Sequence, residues 1–259
     1  MGGLHDGHLS LVAAAGAATD SVAVTIFVNP LQFEVPADLA AYPADLATDL
    51  ETARRAGVGF VFAPSAAEMY PEGAPSTVVS PGRLGTLLEG RSRPRHFEGV
   101  ATVVTKLLSL SGRSTCFFGE KDFQQLRIVA QLVADLDLPA SIVGCPTVRE
   151  ADGLAVSTRN RRLSPGEREA AGALWRALEV GRRAFSDTGD IEVAEAAMEA
   201  ELGAEPLVRP DYAVAVDPAT LRRPASGAGP IRLLVAASVG GVRLIDNAEA
   251  SPPRSMASP

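Results

Sequence analysis

Val22-Ala-Val-Thr-Ile-Phe-Val28 is a continuous apolar, β-branched run bounded by Asp20 on one side and Asn29-Pro30 on the other. A run of this kind suits a strand buried on both faces of a parallel sheet. A helical stretch is predicted next, starting near Pro43, a residue suited to the first helical position. Leu46, Leu50 and Ala53 are spaced for one face, and Gly57 is the stop signal. Val58-Gly-Phe-Val-Phe62 reads as another short buried strand. Strand, helix and strand of this size make a βαβ unit.

Working outward, the alternation repeats. Val100, Val103, Val104, Leu107 and Leu108 predict a helix by their three-and-four spacing, and Cys116-Phe-Phe118 a strand ending at Gly119. Leu126, Val129, Leu132, Val133 and Leu136 predict a further helix, and Ser141-Ile-Val-Gly144 a further strand. Such a pattern predicts a doubly wound α/β domain over residues 1–147.

Beyond that the character changes. Ser164-Pro-Gly-Glu167 is a capping box opening an Ala-rich helix, and a second helix is predicted after Asp190. Asp211 to Val216, Ile231 to Ala236 and Val242 to Ile245 read as strands of a small antiparallel sheet, with a Pro/Gly/Ser loop from Arg222 to Pro230. Residues 148–250 are therefore expected to form a smaller C-terminal α+β domain, and 251–259 a disordered tail.

Apolar residues form 46% of the 259 and charged residues 21%, which is ordinary for a globular chain with a proper core. No apolar run approaches the roughly 20 residues of a membrane helix, and Met1 leads into Gly, Leu, His and Asp instead of a signal peptide. A net charge of -7 argues against a nucleic-acid partner. Cys116 and Cys145 are isolated in apolar surroundings and read as reduced, buried thiols. Lysine is scarce: only Lys106 and Lys121 occur among many arginines. A coding bias towards Arg would spare a lysine where a compact point charge matters.

Four segments carry candidate chemistry. His5-Asp6-Gly7-His8 precedes an apolar run from Leu9 to Ala18; if that run is helical, both imidazoles sit where N–H groups and dipole favour phosphate. Gly7 allows close approach, and two neutral histidines can each donate to an oxygen gaining charge. Phe27-Val-Asn-Pro-Leu-Gln-Phe33 lies at the carboxyl end of the first strand, where open sheets bind ligands, and Asn29 and Gln32 offer uncharged amides to a hydroxy-acid. Phe118-Gly-Glu-Lys-Asp-Phe-Gln-Gln125 is another strand end turning into a helix. There Lys121 can neutralise a phosphate, Asp122 can cap the helix, and Gln125 can face the same cleft. Arg149 to Asn160 is a polar loop in which Ser157 and Arg159 suit phosphate binding. Arg91, Arg93, Arg95 and His96 add a local basic cluster to an acidic chain.

Taken in order, these segments resemble the pantothenate synthetase family of the H-x-G-H nucleotidyltransferases. Met1 to His8 is similar to its M-G-x-L-H-x-G-H, Phe27 to Phe33 to F-V-N-P-x-Q-F, and Arg93 to Val100 to R-P-x-H-F-x-G-V. Phe118 to Gln125 is similar to F-G-x-K-D-x-Q-Q, and Val148 to Asn160 to V-R-E-x-D-G-L-A-x-S-S-R-N. The likeness runs from residue 1 to about 247. It implies a Rossmann-like sheet and an ATP-dependent condensation of pantoate with β-alanine through a pantoyl-adenylate. ATP would be held by Met1, Gly2, Gly3, Leu4, His5, Asp6, Gly7, His8, Gly119, Glu120, Lys121, Asp122, Val148, Val156, Ser157, Thr158 and Arg159. His5, His8, Lys121, Ser157 and Arg159 would be catalytic, and Asn29, Gln32 and Gln125 would bind pantoate and β-alanine. The resemblance also implies Mg2+ with the ATP, a homodimer and a cytoplasmic setting; it implies no protein metal ligands, nucleic acid or membrane. The family carries a strand before the methionine aligned with Met1, so an upstream start is expected. Val156 and Thr158 stand where Met and Ser are common, and Ser111-Gly-Arg-Ser-Thr115 replaces a segment with Pro-Asp. The alternatives are an H-x-G-H adenylyltransferase and a nucleotide-binding homologue impaired by truncation.

Overall fold

Of the run from Val22 to Val28, only Ala23–Thr25 forms a strand (β1), paired in parallel with Phe60–Phe62 (β2) so that Val24 lies opposite Val61. Val24 and Ile26 are buried, whereas on the other face Ala23 is exposed and Thr25 and Phe27 only partly buried, so the run is covered less fully on that face than its composition predicts. β2 departs further: Phe60 is 69% exposed and Phe62 43%, with Val61 alone turned towards the Val12, Val24 and Ile26 cluster. The computed structural model describes residues 2–34, 39–40, 42 and 45–253, which fall in two compact units, Met1–Val148 and Arg149–Pro259.

In the first unit, the apolar stretch after the paired histidines is a helix, Asp6–Ala18 (α1), with Leu11, Val12 and Ala15 buried. The connection between β1 and β2 contains Leu46–Arg55 (α2), capped by the Asp45 side chain on the Thr48 N–H and followed by Gly57 at φ +80°. Pro43 lies outside the described residues. The buried face of α2 is not the one its leucines predict. Leu46 is 46% and Leu50 41% exposed, whereas Asp49 and Ala53 face inward. The carboxylate on that face has partners far away in sequence, which no local period reveals.

After the short helices Ala66–Met69 (α3) and Glu89–Ser92 (α4), His96–Ser111 (α5) carries the predicted apolar face. Ser114–Gly119 (β3) and Ala140–Cys145 (β4) pair in parallel, with Phe123–Asp135 (α6) between them. Among the described residues the parallel strands thus form two separate pairs, and α1 packs against β3 and β4 while Val12 joins the β1 cluster. α5 and α6 enclose the other apolar cluster, around Val100, Val104, Leu108, Val129 and Leu132. Both cysteines are free thiols; Cys145 is buried and Cys116 only partly so.

The second unit begins its helices at the predicted capping box, where Glu167 accepts the Ser164 N–H at 2.7 Å. That helix is short, Pro165–Ala170 (α7), and Ala173–Thr188 (α8) follows at once. Asp190 caps Ile191–Gly203 (α9) through the N–H groups of Glu192 and Val193. Val208–Val216 (β5), Ile231–Val239 (β6) and Val242–Ala250 (β7) form an antiparallel sheet in that order, each longer than the sequence pattern suggests. Gly240-Gly241 joins β6 and β7 with positive φ at both positions, as a tight hairpin requires. The core is made by Leu174, Leu178, Phe185, Met198, Leu202 and the inner residues of β6. Residues 254–259, most of the expected tail, lie outside the described residues.

Candidate active site

His5 is the N-cap of α1 and His8 lies in its first turn. The Gly7 N–H donates to His5 Nδ1 at 3.1 Å, and the His5 N–H donates to His8 Nδ1 at 3.3 Å. Two N–H groups that the helix leaves unsatisfied are thereby taken up by imidazole nitrogens in place of the usual Ser and Glu. The consequence is chemical. A ring nitrogen that accepts from a backbone N–H carries no proton, so each neutral ring holds its hydrogen on Nε2. The rings lie 4.0 Å apart, tilted by 32°. Gly7 makes this possible, because a Cβ there would stand 2.9 Å from His5 Cε1.

His8 is held neutral. Burial, then charge on the neighbouring His5 and on the chain's amino terminus, lowers its pKa to about 3; Lys121 pushes the same way, more weakly, and Asp122 the opposite. Lys121 and Asp122 therefore act on the same imidazole, placed by the turn Glu120–Asp122 at the end of β3. Lys121 Nζ lies 3.8 Å from Asp122 Oδ1. Asp122 occupies the N-cap position of α6 but makes no side-chain capping bond, so its expected capping role is not seen. Of the adjacent glutamines, Gln124 is buried and structural, accepting from the Glu89 N–H and donating to the Leu84 and Leu87 carbonyls. Gln125, one position on, is partly exposed.

The segment after β1 is held from behind. Asn29 is 2% exposed; it donates to Gly99 O at 3.0 Å and accepts from Tyr70 Oη at 2.9 Å and from the Leu31 N–H. Burial raises the Tyr70 phenol to about 12, keeping it a donor. The turn Pro30–Gln32 follows, and Gln32 O accepts from Arg93 Nη2 at 3.1 Å and from His96 Nδ1 at 3.0 Å. Two members of the predicted basic cluster thus fix this turn, and the Arg95 N–H donates to Glu34. Lys106, the other lysine, stands 5.4 Å from the Tyr70 ring centre.

In the second unit, residues 149–155 form a small antiparallel turn, with Arg149 bridging to Ala155. Arg149 donates to both carboxylate oxygens of Asp246 at 2.6 and 3.0 Å, and its guanidinium lies 3.7 Å from the Trp175 ring centre. Arg168 pairs with Asp152 and Glu150 and lowers the Asp152 pKa. On this support Ser157 caps the turn Thr158–Arg162 by accepting the Arg159 N–H. Val148 is the last residue of the first unit, and Val156 and Thr158 flank Ser157. Met1 lies outside the described residues.

One residue of the first unit has no local signature in the sequence. Asp49, in α2, accepts the Gly3 N–H at 2.8 Å and the Leu4 N–H at 2.6 Å. Its one signal is a carboxylate four residues before Ala53, on a face otherwise expected to be apolar.

Among the described residues no group of three or more His, Cys, Asp or Glu side chains is placed to hold a metal ion, and no helix is long and apolar enough to cross a membrane. Residues 1–249 match the family model described as pantoate-beta-alanine ligase. The pantothenate synthetase of Salinispora arenicola is 53% identical, over 95% of this chain and 87% of its own length, and that of Mycolicibacterium smegmatis 51%, over 95% and 77%. The crystal structure of pantothenate synthetase from Thermus thermophilus superposes with a TM-score of 0.92 at 45% identity, covering 97% of this chain and 91% of that one. The pantoate-beta-alanine ligase of Francisella tularensis, complexed with beta-gamma ATP and beta-alanine, gives 0.78 at 34% identity, over 96% and 86%. The chain belongs to the pantoate-beta-alanine ligase family.

Proposed function

We propose that this chain joins pantoate to β-alanine through a pantoyl-adenylate, with the pair of Nε2–H imidazoles at the start of α1 as the ATP-phosphate donors. That pair, next to Lys121, is the observation that carries the assignment of roles. A carboxylate does not acylate an amine in water, because the departing group would be hydroxide. Attack of the pantoate carboxylate on the α-phosphorus expels pyrophosphate and makes AMP the leaving group. The uncharged β-alanine amine then attacks the acyl carbon, AMP departs, and the amine loses a proton. No covalent enzyme intermediate is needed; positioning and charge stabilisation suffice.

In this reading His5 and His8 donate from Nε2 to non-bridging oxygens, and Lys121 offsets charge at the α-phosphate. The helix N-terminus favours the same anion. Gln32 and Gln125 receive pantoate, with Gln32 also serving β-alanine. Asn29, expected from the sequence to join them, is buried with its amide spent on Gly99 O, Tyr70 Oη and the Leu31 N–H, and holds the Pro30–Gln32 turn from behind. Met1 to Leu4, Asp6, Gly7, Gly119, Glu120 and Asp122 line the nucleotide. Val148, Val156, Ser157, Thr158 and Arg159 are assigned to it by their sequence pattern. The donor set described above does not fit a protein-held metal, so Mg2+ is read as arriving on the triphosphate oxygens, its common mode with nucleotides. A homodimer in the cytoplasm completes the proposal. The complex of the Francisella relative with beta-gamma ATP and beta-alanine supports the choice of substrates.

The test follows AMP. Purified protein given ATP and pantoate should release pyrophosphate only up to the enzyme concentration, and free AMP should appear in step with added β-alanine. Continuous pyrophosphate release with AMP retained on the product would mean an adenylyltransferase and overturn the reading.

A further inference from the structure

We propose that Asp49 is a positioning residue, whose buried carboxylate holds the Gly3-Leu4 backbone so that the following His5 N–H keeps His8 in its Nε2–H tautomer. The inference rests on the proposed roles of His5 and His8.

Asp49 is 3% exposed, midway along α2. A carboxylate withdrawn from water needs strong partners, and each of its oxygens has one: Oδ2 accepts from Gly3 and Oδ1 from Leu4. These partners are backbone groups of the two residues before His5. For consecutive N–H groups to reach one carboxylate, the chain turns at Gly3 with φ +64°, a conformation open to glycine and costly for other residues. Gly2 is pinned on the same stretch, where a Cβ would meet Val28 Cγ2 at 3.0 Å, and Tyr42 Oη donates to Gly2 O. The His5 N–H that selects the tautomer of His8 follows directly from this clamped segment. Asp49 therefore reaches the His8 imidazole through three residues of backbone, without touching substrate.

The chain has three histidines, so ¹⁵N-histidine labelling of the full protein gives a readable spectrum. His96 is an internal control of opposite tautomer, because its Nδ1 meets the Gln32 carbonyl and Arg93 approaches its Nε2. Asp49→Asn keeps the shape but sets an amide N–H against a backbone N–H; Gly3→Ala strains the same turn from the other side. Each variant should leave His96 unchanged and move His8 towards mixed tautomers. The His8 midpoint, set also by His5, Lys121 and Asp122, should rise by a unit or more. The kcat/KM for ATP should fall tenfold or more, and the double variant should be little worse than the worse single one. Folded Asp49→Asn with wild-type His8 signals would overturn the proposal. So would activity lost only in proportion to unfolded protein. If the wild-type chain makes no pantothenate, the functional reading fails, while the ring spectra still decide the role of Asp49.

Discussion

Both imidazoles at the start of α1 spend Nδ1 on the backbone, which makes their Nε2–H groups hydrogen-bond donors of fixed direction. Removing one such donor commonly costs about a hundredfold or more in kcat. His8→Ala and Lys121→Ala should each lose at least that in steady-state turnover, with unchanged circular dichroism. The low pKa of His8 has a second consequence. Between about 3 and the ordinary value near 6.5, unfolded chains bind a proton at this position that the native protein refuses. Stability from His8 is complete above that ordinary value and is lost as pH falls. The loss should reach about 3 kcal/mol between pH 7 and pH 4. Chemical denaturation across that range should show a shallower decline for His8→Gln. The histidine pair was legible because its hydrogen-bond partners lie within three positions. Asp49 was not, since the N–H groups that explain its burial are 45 and 46 residues away.

Elements carry the site by close approach. A Cβ on Gly99 would overlap the Leu31 carbonyl, so α5 can press on the Pro30–Gln32 turn only through a glycine. Gly99→Ala should cost about 1–3 kcal/mol in stability and raise the KM for pantoate more than that for ATP. In the second unit, Asp246 is buried and Arg149 nearly so. Asp246→Ala removes the carboxylate from a guanidinium that keeps the Gly153 and Asn247 carbonyls and the Trp175 face, and should lower unfolding free energy by about 1–3 kcal/mol in urea. Helices were read well where one signal was clear, the apolar spacing in α5 and the Asp190 cap in α9. α2 was placed but its buried face was not, because Leu46 and Leu50 outvoted a carboxylate. β2 was placed, but its burial was misread for a related reason. Phe60 and Phe62 are apolar by type, yet period two puts both on the outer face of a short strand. The role of Arg93 and His96 in gripping Gln32 O was beyond any local pattern, since that contact spans more than 60 residues.

At the scale of the molecule, each unit has its own apolar clusters, with one spanning Leu154 to Ala250 entirely inside the second. A segment with its own core is expected to fold alone. Residues 149–253 expressed by themselves should melt cooperatively and retain the β-sheet signal, while failing to support ligation. A gradual, featureless melt would show that the first unit is needed for that core. The order of the longer helices and strands was legible from periodicity and capping; the short α3 and α4 and the break between α7 and α8 were not, nor was the splitting of the parallel strands into two pairs, because pairing partners are not written in any one segment. One consequence of the lysine pattern is practical. With Lys106 over Tyr70 and Lys121 beside the imidazoles, amine-acylating reagents meet just two side-chain targets. Under our reading, ATP protection would appear in intact mass spectra as one missing acyl increment, a footprint countable without mutating a single codon.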